Sequence, residues 1–300
     1  MEQRKIVIPI SGIDRSMVGT TINGWKIICI SDKDEEDNCM DFAGFRGKDC
    51  LRSVFDLLHW DGAVDAITFI KKDPNFHMLG FAKETDPEDP LFKLEVMIIV
   101  HAFRLFKTSQ IGFWRPMDFS DSALKRMLEY DGFQYAHSNL ELPVFSLQED
   151  DQTLFSEFLV RFHIQQFPSI ATQMSFFFHE ACKSQNKCVQ FVLRITIMEM
   201  LIDGNAELSY RLRHHLAVFL GRNLEESNEI ATKMKKMYEA RSKYLHEGDA
   251  SKISDEYCQL AFEYARRLIA NLFMITDSIK DIRAKLESAG YGTDPYQVQF

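Results

Sequence analysis

The chain has 300 residues, 46% hydrophobic and 26% charged, which is the balance of a globular chain and not of a disordered one. Its formal charge of −9 argues against a protein coated in nucleic acid, while leaving room for a small basic site. Six cysteines without a C-x-x-C pair, an N-terminus (MEQRKIVIPI) without a secretory segment, and a longest apolar run (Val96 to Phe103) too short for a bilayer predict a reduced, cytoplasmic protein with no membrane span.

The first half reads as mixed. Lys5–Ile10, Trp25–Ile30 and Ala66–Ile70 are short β-branched runs bounded by Gly, Asp or Asn, and these read as strands, with a fourth at Asn75–Ala82. Between them KDCLRSVFDLLHW, residues 48–60, has helical character, and so has the run from Leu91 to about Lys107. The segment Asn139–Thr153 reads as a junction. Beyond it Gly and Pro become rare and 3.6-residue periodicity takes over, predicting helices at about 152–166, 169–184, 187–203, 206–220, 226–247 and 254–289. Pro168, Gly204, Gly221 and Gly248 fall between them as breakers. The last helix has start chemistry in Ser254, Asp255 and Glu256, a hydrophobic staple in Ile253 and Cys258, and a stop in Gly290. The fold class expected is α+β: a mixed α/β domain over 1–150, a candidate sensor or regulatory domain, followed by an all-α helical bundle over 151–300.

The stretch KKMYEARSKYLHEG, Lys235 to Gly248, carries the chemistry. Advancing each residue by about 100° places Ile230, Met234, Met237, Tyr238 and Leu245 on one side of a helix, with Arg241 in the middle of that stripe. Arginine is almost never fully buried unless paired, so either a carboxylate stands opposite or the stripe borders a cleft or interface. Glu199, flanking the stripe Phe191, Ile195, Met198 and Ile202, is the candidate partner. His246 falls in the last turn, where the carbonyl end of the helix favours an imidazolium. A guanidinium and a group that moves protons near neutral pH are the two groups phosphodiester chemistry requires.

Arg241-Ser-Lys-Tyr-Leu-His246 is an R-x4-H motif and resembles the signature of the HEPN superfamily, compact helical domains often acting as metal-independent endoribonucleases. Around it, IMEMLIDGNAELSYRLRHHLAVFLG (Ile197–Gly221) followed by MKKMYEARSKYLHEG is similar to the Apea-like HEPN branch, over about residues 150–290. In that branch an acidic residue precedes an ELSYRL…LG helix and then an RSK…H…G helix. The resemblance implies that Arg241 binds the scissile phosphate. It implies that His246 activates the ribose 2′-hydroxyl or protonates the leaving 5′-oxygen, giving a 2′,3′-cyclic phosphate without metal or cofactor. It further implies a homodimer pairing two such helices, and a toxin-like or defence role with an antitoxin or regulatory partner. Glu199, Ser242, Lys243, Tyr244, Lys235 and Lys236 are then supporting or RNA-contacting residues, the lysines giving a locally basic helix in an acidic chain.

Two departures from the branch favour a different reading. Ser242 follows the arginine where catalytic members often carry Asn, Asp or His, and Glu247 separates the histidine from Gly248. The leading expectation is an RNA-cleaving enzyme, and the alternatives are a non-catalytic module binding RNA or nucleotide and an interaction scaffold in which Glu199 pins Arg241. A two-fold axis bringing both arginines and both histidines into one cleft would favour the first. A buried Arg241–Glu199 pair with His246 facing solvent would favour the last. Other features point nowhere further: Asp32–Ala43 lacks the Gly and Glu of a calcium loop, His179, Cys182 and Cys188 are not a full zinc set, RLRHH (Arg211–His215) is a candidate RNA contact that amphipathic spacing explains adequately, and Phe176–Phe178 reads as core and bundle interface.

Overall fold

The structure is a computed structural model and describes residues 4–22, 24–31, 78–85, 95, 99, 101–109, 111–113, 116–120, 123–127, 142–164, 169–203, 207–298 and 300. The expected strand at Ala66–Ile70 and helix at 48–60 lie outside these. The chain divides into two compact units, one of Met1–Met97, Ser109–Tyr135 and Pro143–Leu147, the other of Ile98–Thr108, Ala136–Leu142 and Gln148–Phe300. The described residues are thus mixed in class, a sheet in the first unit and helices in the second.

The sheet contains β1 (Arg4–Ser11), β2 (Thr21–Ile22), β3 (Trp25–Ser31), β4 (Met78–Thr85), β5 (Gly112–Phe113), β6 (Met117–Ser120) and β7 (Ala123–Met127). Their order is β2-β3-β4-β1-β6-β7, with β5 also on β1, and each ladder is antiparallel. Of the strand expected at Asn75–Ala82, the described part lies in β4, Met78–Thr85. Central β1 buries Ile6, Val7, Ile8 and Ile10 in succession, so both its faces are covered, which is why its sequence is a continuous apolar run and not an alternating one. Across the sequence Asn23-Gly24, Ile22 pairs with Trp25 and Gly24 takes φ 79°, the positive dihedral a two-residue hairpin loop demands.

The second unit is built from α1 (Glu149–Ile164), α2 (Ser169–Lys183), α3 (Lys187–Glu199), α4 (Leu208–Leu220), α5 (Leu224–Glu247), α6 (Asp255–Met274) and α7 (Ile279–Ser288). α6 is the hub. It buries an unbroken run from Tyr264 to Phe273, so it is covered on all sides. The run includes two arginines that are satisfied internally. Arg266 donates to the carbonyls of Leu105 and Phe106 at 2.8 and 2.9 Å, closing the end of the helical stretch 101–106, and pairs with Glu263 at 2.7 Å. Arg267 donates to the Leu220 carbonyl at 2.7 Å and pairs with Glu226 at 3.1 Å, tying the end of α4 to the start of α5.

Two expected helices are corrected. The one expected over 254–289 is two, because Ser278 caps a new start by accepting from the Asp281 amide at 3.2 Å. The one expected over 187–203 ends at Glu199. Its next three carbonyls, on Met200, Leu201 and Ile202, are each met by Arg283 at 3.0 Å, so the chain can leave the helix without orphaned acceptors. Ser254 does cap α6, accepting from the Tyr257 amide at 3.2 Å, with Ile253 and Cys258 both buried beside it.

Candidate functional site

α5 starts on Asn223, whose side chain accepts from the Glu226 amide at 2.9 Å, and stops where Gly248 takes φ 71°, a left-handed turn that glycine adopts without strain. Ser227, Ile230, Ala231, Met234, Met237 and Ala240 form its buried side. Arg241 continues that side, and its amino group donates to Glu199 at the end of α3 at 3.0 Å, both side chains being 22% exposed. Arg283, by closing the turn after α3, holds the carboxylate's end of this pair in place. Burial pushes the Glu199 carboxyl above its ordinary range, and the attraction of Arg241 opposes that only in part. The Arg241 Nε is sealed from solvent and has no hydrogen-bond partner among the described residues.

His246 stands elsewhere. Five residues along a helix turn the side chain by about 140° and carry it about 7.5 Å up the axis, so His246 leaves the buried side and is exposed in the last turn. Arg241 and Glu199 are brought together; His246 joins neither. Within one chain this is the arrangement expected of an arginine pinned by a carboxylate with the histidine facing solvent.

The other expected residues separate by side. Ser242 and Tyr244 are half-buried and Lys236 is exposed. Lys243 is engaged with Asp249 at 2.5 Å, and that ammonium, with the Ser251 hydroxyl and amide, holds the Asp249 carboxyl well below the usual carboxylate range. Lys233 is paired with Glu256. Lys235, Tyr238, Ser242 and His246 follow one another at spacings of three and four residues, so they form one line along α5, in which Lys235, Ser242 and His246 are turned about 100–140° from Arg241 and Tyr238 borders both sides. That line begins at an open cleft of about 640 Å³ between the first turn of α4 and the middle of α5, lined by Glu207, Tyr210, Arg213, Lys235 and Tyr238 among others. Two members of the expected apolar stripe therefore stand at its margin: Tyr238 is half-buried and lines the cleft, and Leu245 is exposed. Tyr210 is a site residue that sequence reasoning did not single out, and Arg213 lies in the RLRHH stretch, a candidate RNA contact that amphipathic spacing also explains. The available signal was the three-residue step between them, which puts both on one side of α4.

Among the described residues no group of three His, Cys, Asp or Glu is placed to hold a metal ion. His179 accepts from Arg104 at 2.8 Å and stacks on His101 at 4.9 Å, while Cys182, Cys188 and Cys258 form no disulfide. Of the phenylalanine triplet only Phe178 is core; Phe176 and Phe177 are 55% and 37% exposed. Among the described residues no helix is long and apolar enough to cross a membrane. No family model, curated protein or solved structure matches the chain.

Proposed function

We propose that the helical unit is an HEPN-type module that binds single-stranded RNA along the solvent side of α5. The observation that carries this reading is the line of Lys235, Tyr238, Ser242 and His246, which covers about 16 Å of helix axis. It offers an ammonium and an imidazole for phosphates and a phenol ring for a base, the combination that binds single strands without demanding sequence. The commitment of Arg241 to Glu199 favours binding over cleavage, since a guanidinium already paired is a weaker clamp for a reacting phosphoryl group.

A second reading, a metal-independent endoribonuclease, is favoured by one observation: 22% of the Arg241 side chain is still exposed beside its bond to Glu199. In that reading a histidine takes the ribose 2′-hydroxyl proton, the 2′-oxygen bonds to phosphorus, and the P–O5′ bond breaks with protonation of the 5′-oxygen. Because Arg241 and His246 diverge within one chain, this chemistry requires a homodimer that brings a second helix end to the first.

Incubating the purified full chain with mixed-sequence RNA and EDTA, beside Arg241→Ala and His246→Ala variants, separates the two. RNA retained intact in a complex supports the binding module. Cleavage that survives EDTA and is lost in both variants establishes the enzyme instead. A chain that neither retains nor cleaves RNA overturns both readings.

A further inference from the structure

We infer that the cleft between α4 and α5 holds one nucleotide of the bound strand, its base against Tyr210 and its phosphate on Arg213 and Lys235, an assignment that rests on the RNA-binding reading above. The cleft is open to solvent and measures about 640 Å³, room for a ligand that enters from the side and keeps one edge exposed, as one nucleotide of a longer strand does.

Its lining is matched to an aromatic anion. Tyr210 is 52% exposed and lines the cleft, so part of its ring is open to a ligand there. The Arg213 guanidinium sits 5.2 Å from the Tyr210 ring centre, and the His214 ring lies parallel to that ring at 6.0 Å. The Arg213 guanidinium and the His214 ring both bear on the Tyr210 ring, so it is oriented before any ligand arrives, which lowers the entropy lost on stacking a base. Tyr238 completes the wall from α5.

The charges point the same way. Neighbouring cations of α4 and α5 are consumed by carboxylates: Arg211 by Asp203, Arg222 by Glu226, Lys233 by Glu256 and Lys243 by Asp249. Arg213 and Lys235 line the cleft and have no ion-pair partner among the described residues. A stacked arginine keeps its N–H edge for a phosphate, and a lysine adds a mobile point charge. Glu207, also lining the cleft, accepts hydrogen bonds when ionised, so it suits the exocyclic amino group of a base and repels phosphate. It therefore sets the polarity of the bound nucleotide, base toward α4's first turn and backbone toward α5, from which the line of side chains continues to His246.

Crosslinking and titration test this on the full chain. A short mixed-sequence RNA carrying photoreactive adenosine is irradiated with the protein in EDTA, and the modified peptide is mapped. In parallel, fluorescence anisotropy measures affinity for the wild type, Tyr210→Ala, Tyr210→Phe, Arg213→Ala and a Lys280→Ala control. The expected result is a crosslink at Tyr210 or Tyr238, binding about tenfold weaker for Tyr210→Ala, near-full affinity for Tyr210→Phe, and a salt dependence shallower by about 0.7 of a log unit per log unit for Arg213→Ala. RNA binding that is undiminished in Tyr210→Ala and Arg213→Ala and crosslinks elsewhere overturns the cleft assignment while leaving the RNA-binding reading intact. A wild type that binds no RNA overturns both. The Tyr210 side chain is exposed, so unchanged melting temperatures for its variants show that the weaker binding comes from the missing ring and not from an altered fold.

Discussion

Arg241 reaches from α5 to Glu199 on α3 and closes an ion pair at 3.0 Å with both side chains largely covered. A carboxylate so covered is expensive to leave alone, because desolvation is unrecovered once the cation is gone. Arg241→Met is therefore expected to cost about 1–3 kcal/mol in urea unfolding, less than the roughly 3–5 kcal/mol of a fully buried pair. Arg241→Met combined with Glu199→Leu should recover most of that loss. Two single losses that simply add in the double variant would show that the pair is not coupled.

The junction of α4 and α5 is tighter still. A Cβ on Gly221 would lie 2.2 Å from the Ser227 hydroxyl, 2.6 Å from the Ala217 carbonyl oxygen and 2.8 Å from the Ser227 Cα. Two of those neighbours are backbone and cannot swing aside. Gly221→Ala should thus destabilise by about 1–3 kcal/mol, at the upper end for overpacking, visible as a lowered melting temperature. A wild-type melting temperature would mean that α5 can slide away from α4, and with it the cleft geometry.

His101 supplies a pH dependence. Its Nδ1 meets the Ser175 hydroxyl at 2.6 Å and its Nε2 is sealed from solvent. Burial, with the Arg104 charge adding to it, lowers its pKa from 6.5 to about 3. The unfolded chain then binds a proton that the folded chain refuses, so stability present above pH 6.5 is lost as pH falls from there toward 3. The slope contributed is at most about 1.4 kcal/mol per pH unit. His101→Asn should flatten the acid limb of a stability–pH curve between those limits, leaving the share of His215, which burial shifts the same way. An acid limb identical in the variant would contradict the assignment.

Whether a feature can be read in the sequence depends on the range of the interactions that make it. The stripe members Ile230, Met234 and Met237 on α5, the stop at Gly248 and the cap at Ser254 are written within a few residues of sequence and appear where periodicity and capping chemistry put them, whereas Tyr238 and Leu245 fall at the stripe's margin. The end of α3 is not legible in this way, because what closes its carbonyls is Arg283, more than eighty residues away. The break before α7 is signalled by Ser278 and Asp281, but the apolar spacing runs through it and masks the cap. At the site, sequence offers two fates for Arg241, and choosing between them needs the position of Glu199. The cleft is invisible in either helix singly: Tyr210 and Arg213 come from α4, Lys235 and Tyr238 from α5, and only the packing of the two helices makes one lining of them.

An RNA-binding line running along α5 from the cleft to His246 must respond to salt. The decisive measurement titrates a short single-stranded RNA against the full chain in EDTA at several salt concentrations, for the wild type and a Lys235→Ala, His246→Ala double variant. Wild-type affinity should fall steeply with salt, and the double variant should bind more weakly, with a slope reduced by about 0.7 for each phosphate interaction removed. Equal affinity and equal slope for the two proteins would refute the line on α5 as the place where RNA binds.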